Sequence, residues 1–292
     1  MLTSTFLHLP RAGPTMEKAI WSQDIDSWWD FLNTKNIKGI APQRKIAYDL
    51  ALRRAEKALD SQDTEYFVHT LPHHSMWRLW ATFQEDAVFL DIETNGYRND
   101  ITVIGLYSQD GVQTFVAGKN MEKESFLAAM SRHKLVVTFN GACFDLPVIS
   151  RYFGIQFHRP GYAHPKTRPQ ERLSDEGGLS AHVGTTRKNT LIIPHIDLRG
   201  VCSQIGLKGG LKAIEKTIGL KRPEEVDGMD GYMAVILWDQ FRRTGDQKYL
   251  ERLVEYNTQD IVNLKPLADY AIPKLWKQIR CVKPPSSFTQ RI

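Results

Sequence analysis

Cysteine is scarce in this 292-residue chain, and long apolar runs are absent. Cys143, Cys202 and Cys281 are an odd number, lie far apart and form no C-x-x-C pair. This argues against a zinc site or a disulfide framework and favours a reducing compartment. No stretch approaches the roughly 18 apolar residues of a membrane span, and Pro10 and Arg11 come too early for a signal-peptide core. We therefore expect a soluble cytoplasmic protein with no membrane association.

The chain also lacks a strong excess of either charge and any visible internal repeat. Lys and Arg number 38 against 33 Asp and Glu, which gives a net charge of +5, and the pI is about 9.0. A mild positive excess is typical of proteins that bind nucleic acid, but it is also common in chains without such a partner. The hydrophobic content of 42% is that of an ordinary globular protein.

Two kinds of pattern divide the chain. Residues 1–84 predict a small helical module, in which Ile46, Leu50 and Ala55 lie on one face of a helix. From 85 to 282, the strand patterns "DAVFLDI", "ITVIGLY" and "VQTFVAG" are followed by helices that alternate with the strands "KLVVTF" and "TLIIPHIDL". This order predicts an α/β domain with a mixed sheet flanked by helices, followed by a tail at 283–292.

The segment 158–189 interrupts this alternation. It is polar, rich in Gly and Pro, and poor in core residues. We interpret it as a long surface loop, and loops of this length are either functional or disordered.

Two carboxylates stand in the otherwise apolar strand "AVFLDIETN". Because side chains alternate across a strand, Asp91 and Glu93 share one face, opposite the core face of Val88, Leu90 and Ile92. Adjacent like charges repel unless a cation lies between them, and hard oxygen ligands suit Mg²⁺ or Mn²⁺. The alternative is that Asp91 ends the strand as a turn residue and Glu93 is solvated.

Further acids follow at two places. "TFNGACFDLP" presents Asp145 at the start of a helix, where it could also be a simple N-cap. "LVEYNTQDIVNL" is strongly helical and places Tyr256 and Asp260, four residues apart, along the flank of an apolar stripe. Taken alone, this could be an ordinary pair at the core boundary.

Together these motifs resemble a known family. D-x-E on a strand, N-G-x-x-F-D, and Y-x-x-x-D on a late helix resemble the three motifs of the DEDD 3′–5′ exonucleases of the ribonuclease-H-like superfamily, and the Tyr marks the DEDDy subgroup. "HIDLRG", "KGGLKAIEKTIGL", "DGYMAVILWDQF" and "LPHHSMWRLWATF" look similar to the YprB-like branch. The resemblance covers most of the chain, with 158–189 as the main exception.

The resemblance implies a ribonuclease-H-like fold and metal-dependent 3′–5′ exonuclease activity on single-stranded DNA or RNA. It implies two Mg²⁺ or Mn²⁺ ions held by Asp91, Glu93, Asp145 and Asp260, with Asp91 bridging the two. Tyr256 would orient the attacking water, because a phenol of pKa about 10 is a poor base at neutral pH.

Several cationic or polar residues are candidate substrate contacts. Asn140 could bind a phosphate or simply shape its turn. Lys208 and Lys212 flank Gly209-Gly210 at the start of a helix, a place that favours anions, or they could be solvated lysines around a glycine loop. Arg199, after the strand "PHIDL", is a weaker candidate of the same kind.

The opening "LPRAGPTMEKAIW" resembles one hairpin of a helix-hairpin-helix DNA-binding motif, with Arg11 in place of the first glycine. This favours DNA slightly over RNA, although the segment could be a packing module only. Two rival functions stay open: a structure-specific endonuclease on the same scaffold, and a non-catalytic nucleic-acid-binding module. Clustered acids facing phosphates argue against a pure binder.

Overall fold

The computed structural model describes residues 1–96, 100–157, 186–187 and 189–281. Most of the loop predicted at 158–189, and the tail at 283–292, lie outside these residues. None of the helices within the described part of the chain is long and apolar enough to cross a membrane.

The described strands fall into two sheets. In chain order they are β1 (Ala87–Thr94), β2 (Ile101–Ser108), β3 (Gly111–Val116), β4 (Leu135–Thr138), β5 (Gln156–Phe157), β6 (Thr186–Arg187), β7 (Thr190–Leu191) and β8 (His195–Asp197). The larger sheet has the order β3-β2-β1-β4-β8. β1, β2 and β3 are antiparallel, whereas β4 pairs in parallel with both β1 and β8. The predicted mixed sheet is therefore confirmed.

The segment "TLIIPHIDL" does not form the single strand that the sequence predicts. Thr190–Leu191 belongs to the smaller sheet, of order β5-β7-β6, and His195–Asp197 to the larger one. The break falls at Pro194, which has no N–H to donate to a neighbouring strand. Its carbonyl oxygen accepts a hydrogen bond from the amide of Val136.

Helices cover both faces of the larger sheet and make up the N-terminal part. Those before the sheet are α1 (Pro14–Trp21), α2 (Trp28–Asn33), α3 (Pro42–Asp60), α4 (Thr64–Thr70) and α5 (Trp80–Phe83), with 3₁₀ turns at Leu2–Ser4, His73–Leu79 and Gln84–Asp86. The later helices are α6 (Lys123–Met130), α7 (Asp145–Phe153), α8 (Leu198–Gln204), α9 (Leu211–Ile218), α10 (Gly231–Thr244) and α11 (Gln247–Cys281).

The predicted inner face of α3 is only partly right. Ala55 is buried as predicted, but Ile46 and Leu50 are 70% and 53% exposed, and the helix buries Tyr48 and Leu52 together with Ala55. These three residues also recur at helical spacing. They pack in the apolar cluster of the N-terminal part, and the Tyr48 hydroxyl donates a hydrogen bond to the carbonyl of Pro10, 3.1 Å away.

β1 is buried on both faces. Val88, Leu90 and Ile92 pack in one apolar cluster with residues of α6 and α7. Ala87 and Phe89 belong to a second cluster, which includes residues of α11 and of the N-terminal helices. Since Asp91 and Glu93 continue this second face, the strand carries its two acids toward α11.

An ion pair is buried in the N-terminal part. Arg78 Nη2 lies 2.9 Å from Glu17 Oε2, and both side chains are almost completely buried. Glu17 Oε1 also accepts hydrogen bonds from the Thr5 hydroxyl and the Phe6 amide. The pair ties α1 to the 3₁₀ turn before the sheet.

Candidate active site

Three carboxylates from distant parts of the chain lie together where β1 ends. Asp91 and Glu93 come from β1 and Asp260 from α11, and each offers an oxygen within 4.8 Å of the other two. Glu93 is 7% exposed and Asp260 is 8% exposed, while Asp91 is half-buried. The structure therefore brings together three of the four predicted acidic ligands.

A glycine in β2 lets α11 approach the sheet closely at this point. Gly105 pairs with Asp91 across the strands, and a Cβ on Gly105 would lie 2.0 Å from Asn257 Oδ1. The room left by the missing side chain is occupied by the Asn257 carboxamide. Asn257 Nδ2 donates a hydrogen bond to Asp91 Oδ2 over 2.9 Å, which fixes the orientation of that carboxylate.

Asp145, the fourth predicted acid, lies at the start of α7 and contacts the backbone of β1 next to Asp91. Its Oδ1 accepts a hydrogen bond from the backbone N–H of Ile92, 3.2 Å away. The turn that delivers it has Asn140 at φ 69° and then Gly141, where a Cβ would meet Thr138 Oγ1 at 2.2 Å. Asp145 is buried next to the other acids rather than exposed as a simple cap.

Burial is the largest cause that raises the pKa values of all four acids, and the charge of a neighbouring acid adds to it in each case. The pKa of Asp91 lies well above its ordinary value because of burial and then the charges of Asp145, Asp260 and Glu93. Burial, followed by the charge of Asp260, does the same to Glu93. Burial raises the pKa of Asp145 to about 7 and also raises that of Asp260. Because these pKa values are raised, protons compete with a cation for the carboxylate oxygens.

A divalent cation fits this donor set. Carboxylate oxygens are the ligands that Mg²⁺ and Mn²⁺ prefer. Among the described residues, no Lys or Arg forms an ion pair with Asp91 or Glu93, so their charges are not neutralised by a direct partner. These acids could hold either ion.

Tyr256 lies beside the acids, one helical turn before Asp260. It is buried, and its hydroxyl accepts a hydrogen bond from Lys212 Nζ over 2.6 Å. Burial, followed by the charges of Asp260, Glu93 and Asp91, raises the pKa of the phenol, which therefore stays neutral. Lys212 also donates to the carbonyl of Met229. The ammonium group of Lys212 therefore points toward Tyr256. The sequence had suggested instead that Lys212, beside the glycine pair, contacts a phosphate of the substrate.

Residues 88–272 match the RNase H superfamily, which covers well over half of the chain. The chain belongs to the ribonuclease H superfamily. No curated protein matches the sequence. A similar solved structure is the family B DNA polymerase from the hyperthermophilic archaeon Pyrobaculum calidifontis, with a TM-score of 0.43 and 16% identity. That match covers 67% of this chain, which spans 27% of the polymerase chain.

The predicted fold class is confirmed: a five-stranded mixed sheet, flanked by helices, follows a helical N-terminal part. The acidic cluster lies within the matched residues.

In this ribonuclease H-like site, an arginine also touches the cluster. Arg222, in the segment between α9 and α10, places Nη2 2.5 Å from Asp260 Oδ1. Its Nε donates to Glu215 Oε2 over 2.6 Å and its Nη2 to Glu215 Oε1 over 2.8 Å. Asn263 Nδ2 donates to Glu215 Oε1 over 3.0 Å. One carboxylate of the cluster therefore already has a cationic partner.

Three other predicted substrate contacts lie along one groove. Asn140 and Arg199 line a cavity of about 530 Å³ together with Lys208, Gly209 and Gly210. Arg199 Nη1 donates to Asn140 Oδ1 over 2.7 Å, so these two side chains orient each other. Lys208 is exposed. This places two cations and an amide at one opening.

Arg11 does not line that cavity. It is exposed in the opening turn, with φ at 62°, a left-handed conformation that glycine adopts more easily. The chain before it forms only a short 3₁₀ turn, at Leu2–Ser4, rather than a full first helix. The hairpin resemblance therefore covers the turn and α1.

Sequence reasoning missed Asn257, Gly105, Arg222 and Glu215. A glycine inside the apolar strand "ITVIGLY" is a signal of close backbone approach and could have indicated a helix contact. The position of Arg222, 38 residues before Asp260 and outside any helix, left no periodic signal.

Proposed function

We propose that this chain is a metal-dependent 3′–5′ exonuclease that hydrolyses phosphodiester bonds of single-stranded nucleic acid, of the DEDDy type and the YprB-like branch. The observation that supports it most is the meeting of Asp91, Glu93 and Asp260, with Tyr256 one helical turn away. DNA is slightly favoured over RNA because the opening turn resembles a DNA-binding hairpin. The working units are 85–282 for catalysis and 1–84 as a helical module that could contact the nucleic acid.

Each side chain has a stated task in this proposal. Asp91, Glu93, Asp145 and Asp260 would hold the metal ions. When bound, two Mg²⁺ or Mn²⁺ ions supply a polarised water and stabilise the leaving 3′ oxygen. Asn257 keeps Asp91 in place.

Tyr256 orients the attacking water by a hydrogen bond. A phenol whose pKa is raised remains protonated, so orientation rather than proton abstraction is its role. Lys212 donates a hydrogen bond to the hydroxyl oxygen, which restricts the direction in which the Tyr256 hydroxyl can donate its own proton. Asn140, Arg199 and Lys208 bind the phosphates of the strand along their common groove.

The test uses oligonucleotides labelled at the 5′ end, as matched DNA and RNA, with Mn²⁺ or Mg²⁺. Stepwise shortening from the 3′ end is expected. Asp260→Ala should lower the rate at least about a hundredfold, since even indirect partners of a metal matter by 10–100-fold. Asp269→Ala, an exposed acid later on the same helix, is the matched control and should retain full activity. Unchanged shortening by Asp260→Ala would contradict the assignment.

Tyr256→Phe should slow the reaction about tenfold without abolishing it, because it removes one orienting hydrogen bond. An unchanged rate would rule out the role given to the hydroxyl. A circular single strand separates the first rival, since it has no 3′ end and only an endonuclease would cut it. Metal-independent binding without any product would favour the non-catalytic module.

A further inference from the structure

One cation at the acidic cluster has no task in the proposed reaction. The Arg222 guanidinium contacts Asp260 Oδ1 at 2.5 Å and is held from behind by two hydrogen bonds to Glu215. The side chains of Arg222 and Glu215 are only 4% and 2% exposed. Arg222 and Glu215 therefore form a buried ion pair, and Arg222 also contacts Asp260, a proposed metal ligand.

Both ends of this arrangement are fixed. Glu215 lies in α9, and its backbone carbonyl accepts a hydrogen bond from the amide of Leu220, which closes the chain back on the helix. Asn263 of α11 binds the Glu215 carboxylate as well. Moving Arg222 away would leave Glu215 buried without its charge partner, which is strongly unfavourable. The guanidinium is therefore expected to stay in place when an ion arrives.

We propose that Arg222 is a resident cation of the metal centre: it holds one oxygen of Asp260 and weakens the binding of a divalent ion on that side. The inference rests on the proposed metal-dependent nuclease. Without a metal, the positive charge reduces the repulsion among the clustered carboxylates. With a metal, the same charge repels the ion that shares Asp260. Arg222 is thus a positioning residue that determines how tightly the site binds a divalent ion.

This role predicts two effects of opposite sign. Removing the cation should lower the stability of the metal-free protein, because the acids then repel each other without relief. It should also strengthen Mn²⁺ binding, so that Mn²⁺ raises the melting temperature more than in the wild type. If Arg222 only oriented the Asp260 side chain, its removal would lower the stability of the metal-free protein and would also weaken Mn²⁺ binding.

The variants are Arg222→Gln and the double variant Glu215→Gln/Arg222→Gln, which also removes the buried anion and keeps the protein foldable. Arg243→Gln is the matched control, since Arg243 pairs with Asp239 at the exposed surface of α10. Mn²⁺ is titrated by calorimetry at about pH 8, where proton competition is smaller. No nucleic acid is present. Thermal unfolding is followed with and without Mn²⁺.

We expect the double variant to bind Mn²⁺ about tenfold more tightly than the wild type, and the control to bind unchanged. Equal or weaker binding by a folded double variant would overturn the role of Arg222 while leaving the nuclease proposal intact. If the wild-type protein binds no Mn²⁺ at all, and Asp91→Asn changes nothing, the metal-dependent nuclease and the inference built on it both fail.

Discussion

The contact of α11 with β2 at Gly105 offers the sharpest test of how the site is assembled. Changing Gly105 to Ala places a Cβ 2.0 Å from Asn257 Oδ1 and 3.0 Å from Ile261 Cδ1. Overpacking of this kind costs about 1–3 kcal/mol. Displacing Asn257 also removes its hydrogen bond to the Asp91 carboxylate, which adds about 1.5–3 kcal/mol. We expect a loss of about 3–5 kcal/mol in the free energy of unfolding.

A double-mutant cycle separates this clash from a general intolerance of the strand. In an Asn257→Ala background the carboxamide is gone, and Gly105→Ala then meets mainly the end of Ile261. The second change should then cost only about 1 kcal/mol, which gives a coupling of at least about 2 kcal/mol between the two positions. Urea unfolding of the four proteins, fitted with a common slope, measures it.

Gly200→Ala is the control, because no atom lies within 4 Å of a Cβ at that helical position. It should be neutral or slightly stabilising, as for any glycine replaced inside a helix. Additive effects of Gly105→Ala and Asn257→Ala would refute the reasoning, since the loss would then come from the strand itself and not from the helix contact.

Three further predictions concern charge. Burial lowers the pKa of His8 from 6.5 to about 3, so only the unfolded chain gains a proton as the pH falls below 6.5. The free energy of unfolding measured in urea should therefore fall by roughly 2 kcal/mol between pH 6.5 and 5. His8→Leu should reduce this dependence of stability on pH. Because the pKa of Asp145 is about 7, Mn²⁺ must displace its proton below that pH; affinity measured by calorimetry should rise at least about tenfold from pH 6 to 8, and less in Asp145→Asn. Arg78→Met leaves Glu17 buried without its cation, so the free energy of unfolding should fall by about 3–5 kcal/mol in urea titrations, whereas an equal loss from Arg243→Met, an exposed pair, would contradict this view.

The part of the site that sequence could predict is the part that breaks local rules. Two acids inside an apolar strand, and an acid on the flank of an amphipathic helix, conflict with burial unless something neutralises them. Asp91, Glu93 and Asp260 stand out for this reason, and the structure places them together. Asp145 breaks no local rule at the start of its helix, and only the resemblance to the exonuclease motifs singled it out.

The residues that were missed obey local rules and act only through tertiary contacts. Nothing in the local sequence distinguishes Asn257 from other helical residues, and its role depends on the packing of α11 against β2. Arg222 is likewise distinguished only by its contact with Glu215 in the folded chain. The misplaced residues of α3 have a similar cause. Ile46 and Leu50 fit a helical stripe as well as Tyr48 and Leu52 do, and only tertiary packing of Tyr48 and Leu52 in the N-terminal core distinguishes the two faces.

The length of α11 has a practical consequence for anyone who dissects this protein. The first half of the helix carries Tyr256 and Asp260, and the second half buries Leu275 and sets Trp276 against Trp21 of α1, with ring centroids 5.7 Å apart. A fragment starting at residue 85 would expose the apolar surface of this second half of α11 to solvent, and we expect it to self-associate. Loss of activity in such a truncation would then report aggregation, not a catalytic contribution of the missing residues.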